Sequence, residues 1–365
     1  HLLLSWDDLD GDNKRYYYKI ILCNADWTLS QLPEIEAIDG FSSDQVRDYK
    51  NSSRALMHYT HYSLSFPNDN IRLPKSGNYI IKIYTDDDEK NLVFTRRFML
   101  VEPKMRVMAA QKVPAAGGRM RTFQELEFTV DYKGTSVRNP ENEVKVAVLQ
   151  NGRWDNAVTG VKPLFQKENQ LIYNYQDVFT FPAGKEFRRL DLSSVRLLTE
   201  GVESLEQTDS SFEARTFLAA PLRNFAYEYL ADANGKYVIK MFGSDAPEID
   251  AEYVRVHFNL LLPFEVNGAS VYVFGAMTNW KCAPQNKMHY NTLTHQYELI
   301  LPLKQGFYGY QYAVVKDGDT QINTSHLEGD WYETENEYNI LVYYRAFGER
   351  YDRLVCVQTI NSTSK

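Results

Sequence analysis

His58 and His61 stand three positions apart in His-Tyr-Thr-His, and the run Asp8-Leu9-Asp10-Gly11-Asp12 lies near the start of the chain; metal chemistry could use either pattern. Imidazoles hold an ion only when they converge. The segment Tyr59-Thr60-His61-Tyr62 reads as extended, where an odd separation turns two side chains to opposite faces, so the histidines are expected to hydrogen-bond rather than share a metal. The aspartate run fails as a calcium loop, because counting from Asp8 the glycine falls at position four instead of six and Lys19 stands where the twelfth-position glutamate belongs. A second acidic run, Asp86-Asp87-Asp88-Glu89, falls where a hairpin must turn and reads as a solvated turn. Cys23, Cys282 and Cys356 are too few and too scattered for a disulfide framework or a thiolate site; they read as small buried hydrophobes, with a Cys282–Cys356 pairing left open.

The common reaction motifs are missing. No Gly-x-Ser-x-Gly elbow, His-Glu-x-x-His helix or Gly-x-x-x-x-Gly-Lys phosphate loop occurs, so no catalytic, cofactor-binding or metal-binding residue is expected, and the chain reads as a non-enzyme. The residues left as candidate ligand or interface groups are Trp280 and Trp331, whose rings could stack a sugar or pack a core, and Arg96 and Arg97. Like Arg188 and Arg189, these arginines fall on strand patterns, where surface ion pairs are the ordinary role and interface anchoring the alternative.

The elements that must position these residues are strands. Tyr16 to Cys23, Tyr79 to Tyr84 and Leu92 to Leu100 carry β patterns, the last two as a hairpin around the acidic turn, while Ser42 to Tyr49 has a serine cap and is expected to form one or two helical turns. Glu102-Pro103 ends this set. Short strands follow at Leu126–Val130, Val144–Leu149 and Leu171–Tyr173, separated by Gly, Pro and Asn turns. After Tyr237 to Met241 the polar stretch Ser244 to Asp250 reads as a second linker. The last third opens with strict alternation at Val254, Val256, Phe258, Leu260 and Leu262, a face that a second sheet must cover. The expected fold is all-β: three consecutive antiparallel sandwiches, at 1–102, 103–246 and 247–365, the last early-set-like.

Composition agrees. Among 365 residues 44% are hydrophobic and 24% charged, enough apolar side chain for several cores. The 26 tyrosines against 5 tryptophans suit pleated, half-buried surfaces. A net charge of −8 and a pI near 5.5 give no field that would gather a phosphate backbone, so nucleic acid is not an expected partner. Apolar stretches such as Phe258 to Phe264 are far short of the roughly 20 residues that span a bilayer, so no transmembrane segment is expected. The opening at His1, inside the apolar run Leu2-Leu3-Leu4, is what a chain with its export signal removed would show.

Several patches in collinear order resemble one family, the plug proteins of the type IX secretion system, formerly a domain of unknown function. In the first third they are Cys23-Asn24-Ala25-Asp26-Trp27, Gly40-Phe41, Asp48-Tyr49-Lys50-Asn51-Ser52, His58-Tyr59-Thr60-His61-Tyr62, Phe66-Pro67-Asn68, Ser76-Gly77-Asn78-Tyr79 and Thr95-Arg96-Arg97-Phe98. Arg153-Trp154-Asp155-Asn156-Ala157 and Glu186-Phe187-Arg188 continue the likeness, as do Glu252-Tyr253-Val254, Tyr272-Val273-Phe274-Gly275 and Asn279-Trp280. The resemblance implies a periplasmic protein, associated with the outer membrane, that docks on a translocon barrel of the SprA/Sov type and seals it while no cargo passes. A second resemblance covers the last domain alone. Phe274 to Trp280, Leu303 to Tyr308 and Asp317-Gly318 are similar to the early-set sandwich of glycogen-binding modules, which stack sugar on the tryptophan matching Trp280. Asp319-Thr320 stands where those modules carry a second tryptophan, and Ala313 where they carry a lysine, so the likeness implies a shared fold without the ligand. Trp331 as a replacement ring keeps carbohydrate binding in the cell envelope as the alternative.

Overall fold

The computed structural model describes residues 1–115 and 117–362. Strands dominate, and every α-helix is a single four-residue turn, none long and apolar enough to cross a membrane. In residues 1–102, one sheet orders Leu2–Asp8, Thr60–Phe66 and Asp48–Asn51. The facing sheet orders Ser43–Gln45, Tyr16–Cys23, Gly77–Thr85 and Leu92–Leu100, the last two being the expected hairpin. Alternation explains the packing: Tyr16, Tyr18, Ile20 and Leu22 point inward against Tyr79, Ile81 and Ile83. The helix expected at Ser42 to Tyr49 does not form; Ser43–Gln45 pairs with Tyr17–Lys19, and Asp48–Asn51 with Thr60–Ser63. Two helical turns lack the length to offset nucleation in water, and open ladder partners lie on either side.

The middle sandwich packs a sheet of Arg106–Lys112, Phe123–Asp131, Gln170–Tyr173, Phe165–Lys167 and Thr180–Pro182 on a second sheet ordered Val158–Thr159, Val144–Gln150, Glu337–Tyr344 and Arg353–Asn361. Half of that second sheet therefore comes from the end of the chain. The third sandwich has one sheet of Val202–Gln207, Phe212–Thr216, Tyr253–Leu261, Gln296–Lys304 and His289–Asn291. Its facing strands Arg188–Asp191, Tyr237–Ile239 and Ala269–Phe274 all pair with the long strand Gly306–Lys316. Among the described strands pairing is antiparallel except for Phe212–Thr216 on Tyr253–Leu261, a parallel ladder that the isolated bridge Ala219–Leu260 continues.

The architecture is the expected all-β one, but strand pairing does not follow the linear cut at 246/247. The middle unit is closed by 337–361, and the third lies inserted between its halves. Ser244 to Asp250 is accordingly a connection within the third sandwich, joining Tyr237–Ile239 to Tyr253–Leu261. The physical cause is visible in Glu337–Tyr344: Tyr338, Ile340 and Val342 enter the middle core while Leu341 and Tyr343 enter a second cluster reached by Met99 and Ala25 of the first unit. A strand apolar on both faces has to lie in the interior of the assembly. The face of Val254, Val256, Phe258, Leu260 and Leu262 is covered as its alternation requires, by Leu190, Tyr308, Tyr310 and Tyr312 among others.

Candidate functional site

The motifs that suggested chemistry resolve into structural roles. Lys14 occupies the aspartate run: its Nζ lies 2.9 Å from Asp8 and 3.5 Å from Asp12 and also binds Asp10, so an ammonium group stands where an ion would. His58 is exposed and lies outside the strand, whereas His61 Nδ1 binds Asp7 Oδ1 at 2.6 Å. Glu89 of the acidic turn bridges Lys19 and Lys82. The three cysteines are free thiols, Cys282 in the third sandwich and Cys356 in the middle one; burial pushes the Cys282 thiol up to about 12. Among the described residues no cluster of His, Cys, Asp or Glu has the arrangement of a metal site.

Trp280 is half-buried and meets Phe274 and Phe187 edge-on, at 5.3 and 5.9 Å between centroids. The Arg153 guanidinium of the middle unit lies 5.5 Å from its ring. Gly235 leaves room for the indole, since a Cβ there would come within 2.4 Å of Trp280 Cη2. Trp331 stacks on Tyr227 at 5.8 Å and donates Nε1–H to Glu333. Each tryptophan thus has protein neighbours against its ring. The arginines divide. Arg188 is partly buried, pairs in bidentate fashion with the buried Glu328 at 3.1 and 2.9 Å and lies over Tyr312, and Arg189 pairs with Glu200. Arg97 lies 4.5 Å from the Trp27 ring, which meets Trp154 of the middle unit edge-on. Arg96 rests on Phe94 at the mouth of a cleft.

That cleft, of about 900 Å³, runs between the first and third sandwiches, and its size falls within the range of ligand sites, about 300–1,000 Å³. Alternation builds one wall. Ser5 pairs with Ser63 and Asp7 with His61, so these four share the outer face of the first sheet, next to Asp48 and Lys50. Tyr237, Ile239, Tyr253, Lys304 and Tyr308 form the opposite wall. At the base the walls are tied together: Asp7 Oδ2 accepts from Tyr253 Oη at 2.8 Å and Lys304 Nζ at 2.5 Å, and Lys304 also donates to the Glu248 carbonyl and lies over the Tyr59 ring at 4.1 Å. Burial by itself would raise the Asp7 carboxyl, but hydrogen bonds from His61 and Lys304 and the lysine charge outweigh it and hold Asp7 below the ordinary carboxylate value. Beside this base, the Glu252 carboxylate accepts from the Leu56 and Met57 amides, and Ser53 binds Asp250. These contacts clamp two sandwiches that stand far apart in sequence. His61 and Tyr253 fall inside the family-like patches, yet nothing in their neighbourhood along the chain announced the partners Asp7 and Lys304.

No curated protein matches this sequence. A crystal structure of a hypothetical protein from Parabacteroides merdae is 35% identical and superposes with a TM-score of 0.94, covering 98% of this chain and 90% of that one. The family described as type 9 secretion system plug protein, 1st domain, matches residues 1–102, the unit that supplies one wall of the cleft. Residues 1–102 of this chain are thus the first domain of a type IX secretion system plug protein, as the family model describes it.

Proposed function

We propose that the protein is a non-enzymatic periplasmic component of the type IX secretion apparatus, docking on the outer-membrane translocon barrel and sealing it between cargoes. The match of the first sandwich to the plug family carries this reading. The packing supports it, because a seal has to present a broad surface of fixed shape, and here the three sandwiches grip one another pairwise. The first meets the third through Asp7, Tyr253 and Lys304, and the middle one through the Ala25 amide on Asp352 and Tyr343 Oη on Asn78. The middle and third meet through Arg153 against Phe274 and Trp280. A stable docking surface needs about 800 Å² per partner, which such a body can offer without a reactive group.

The test is affinity purification of a tagged copy from native envelopes in mild detergent, with mass-spectrometric identification of what remains bound. A very large outer-membrane barrel is expected in the eluate, depleted when the tag is placed on an unrelated periplasmic protein. A tagged protein that elutes without any barrel under conditions preserving other envelope complexes would overturn the proposal.

A further inference from the structure

The interdomain cleft holds hydrogen-bonding capacity that the fold does not use. Tyr237–Ile239 is an edge strand, paired only with Gly306–Lys316. Its register assigns each backbone group: Gly309 N–H donates to the Lys236 carbonyl and Lys240 N–H to the Gln305 carbonyl, so the hydrogen-bonded positions are 236, 238 and 240. The N–H and C=O of Tyr237 and Ile239 therefore face away from the sheet, have no partner among the described residues, and belong to the two residues of this strand that line the cleft. An edge with exposed Tyr237 and Val238, 49% and 56% accessible, is a template for another extended chain.

Charge on the walls is also unspent. Arg47 pairs with Asp44 and Lys304 with Asp7, but neither Lys50 nor Arg96 has an acidic partner among the described residues. Asp48 and Glu248 are the remaining acids on the lining, and neither forms an ion pair with Lys50 or Arg96 among the described residues. The hydroxyls of Tyr49 and Tyr237 are likewise free of protein partners among the described residues.

We propose that this cleft binds an extended, acidic polypeptide segment, added as a strand to the Tyr237–Ile239 edge with its carboxylates toward Lys50 and Arg96. Backbone pairing would supply affinity with little dependence on sequence, and the two cations would select for acidic chains. This recognition is independent of docking on a barrel, since every group it uses belongs to the isolated protein.

The test uses purified full-length protein and a fluorescein-labelled short peptide of alternating valine and glutamate, followed by fluorescence anisotropy. Lys50→Glu and Arg96→Glu should each weaken binding by about threefold to fivefold, the range an exposed ion pair allows. Tyr237→Pro, which deletes an outward N–H, should weaken it by about fivefold, whereas Tyr237→Val, which keeps the N–H, should weaken it less. In the unmodified protein, hydrogen exchange at the Tyr237 and Ile239 amides should slow when the peptide binds, which decides the matter even where a variant loses its fold. Failure of the glutamate peptide to bind, equal binding of a valine-lysine peptide, or unchanged exchange at these amides overturns the proposal. Binding of a glucan oligosaccharide in its place would assign the cleft to sugar. Barrel co-purification by the Lys50→Glu and Arg96→Glu variants reports on docking alone and keeps the two readings separable.

Discussion

Two buried carboxylates show how the same functional group is shifted in opposite directions by its surroundings. Asp7 is ionised because Lys304 and His61 reach it; removing the lysine leaves the carboxylate buried without its cation. Lys304→Met is expected to destabilise the protein by about 3–5 kcal/mol, and the Asp7→Asn, Lys304→Met double variant by much less, because most of the single-variant cost is the stranded charge. Differential scanning calorimetry of the three proteins would check this, and equal losses in both variants would refute it. Glu186 goes the other way. Burial pushes its carboxyl up to about 7, with Tyr227 Oη donating to it at 2.6 Å. A folded-state value above the ordinary 4.5 means that the folded protein holds this proton more tightly than the unfolded chain. The stabilisation it brings is therefore complete below about pH 4.5 and is lost as pH rises through about 7. Glu186→Gln should flatten the fall in melting temperature across that interval; an unchanged slope would show that other groups carry it.

At the scale of elements, positions that seem interchangeable in sequence are fixed by what crosses them. Gly235 has φ +73° and lies under the Trp280 indole, so Gly235→Ala has to adopt a left-handed backbone and displace the ring together with Phe187. A loss of at least about 1 kcal/mol is expected in urea denaturation, with the Trp280 fluorescence spectrum shifted; no shift would mean that the ring had other room. The alternation from Val254 to Leu262 and the hairpin 77–100 were legible because a strand with one buried face writes a period of two into its sequence. The segment Ser42 to Tyr49 was misread because its serine cap is a local signal, whereas the ladder partners that decide its conformation lie elsewhere in the chain. Trp280 was recognised as a special position, but its environment of Phe187, Phe274, Gly235 and Arg153 comes from four separate segments. No pattern along the chain could have told a packed ring from a sugar platform.

At the scale of the molecule, the return of 337–361 into the middle sandwich makes the C-terminal strands structural for residues more than a hundred positions away. A chain ending at 336 should lose the middle sandwich: Val144–Gln150 would be left with only Val158–Thr159 beside it, and the core formed with Tyr338, Ile340 and Val342 would open. Circular dichroism with limited proteolysis is expected to show cleavage throughout 103–183 in that truncation, and a protease-resistant middle unit would contradict the pairing described. The sequence by itself determined the strand content, the likeness to the plug family, and the residues that face a core, because each of these is carried by local alternation or by the order of short patches. Tertiary structure alone decided which strand joins which sheet, that Asp7 meets Lys304 across two sandwiches, and that a cleft lined by an open strand edge lies between them. Strand pairing is non-local: alternation says that a face must be covered, and only the folded chain says by what.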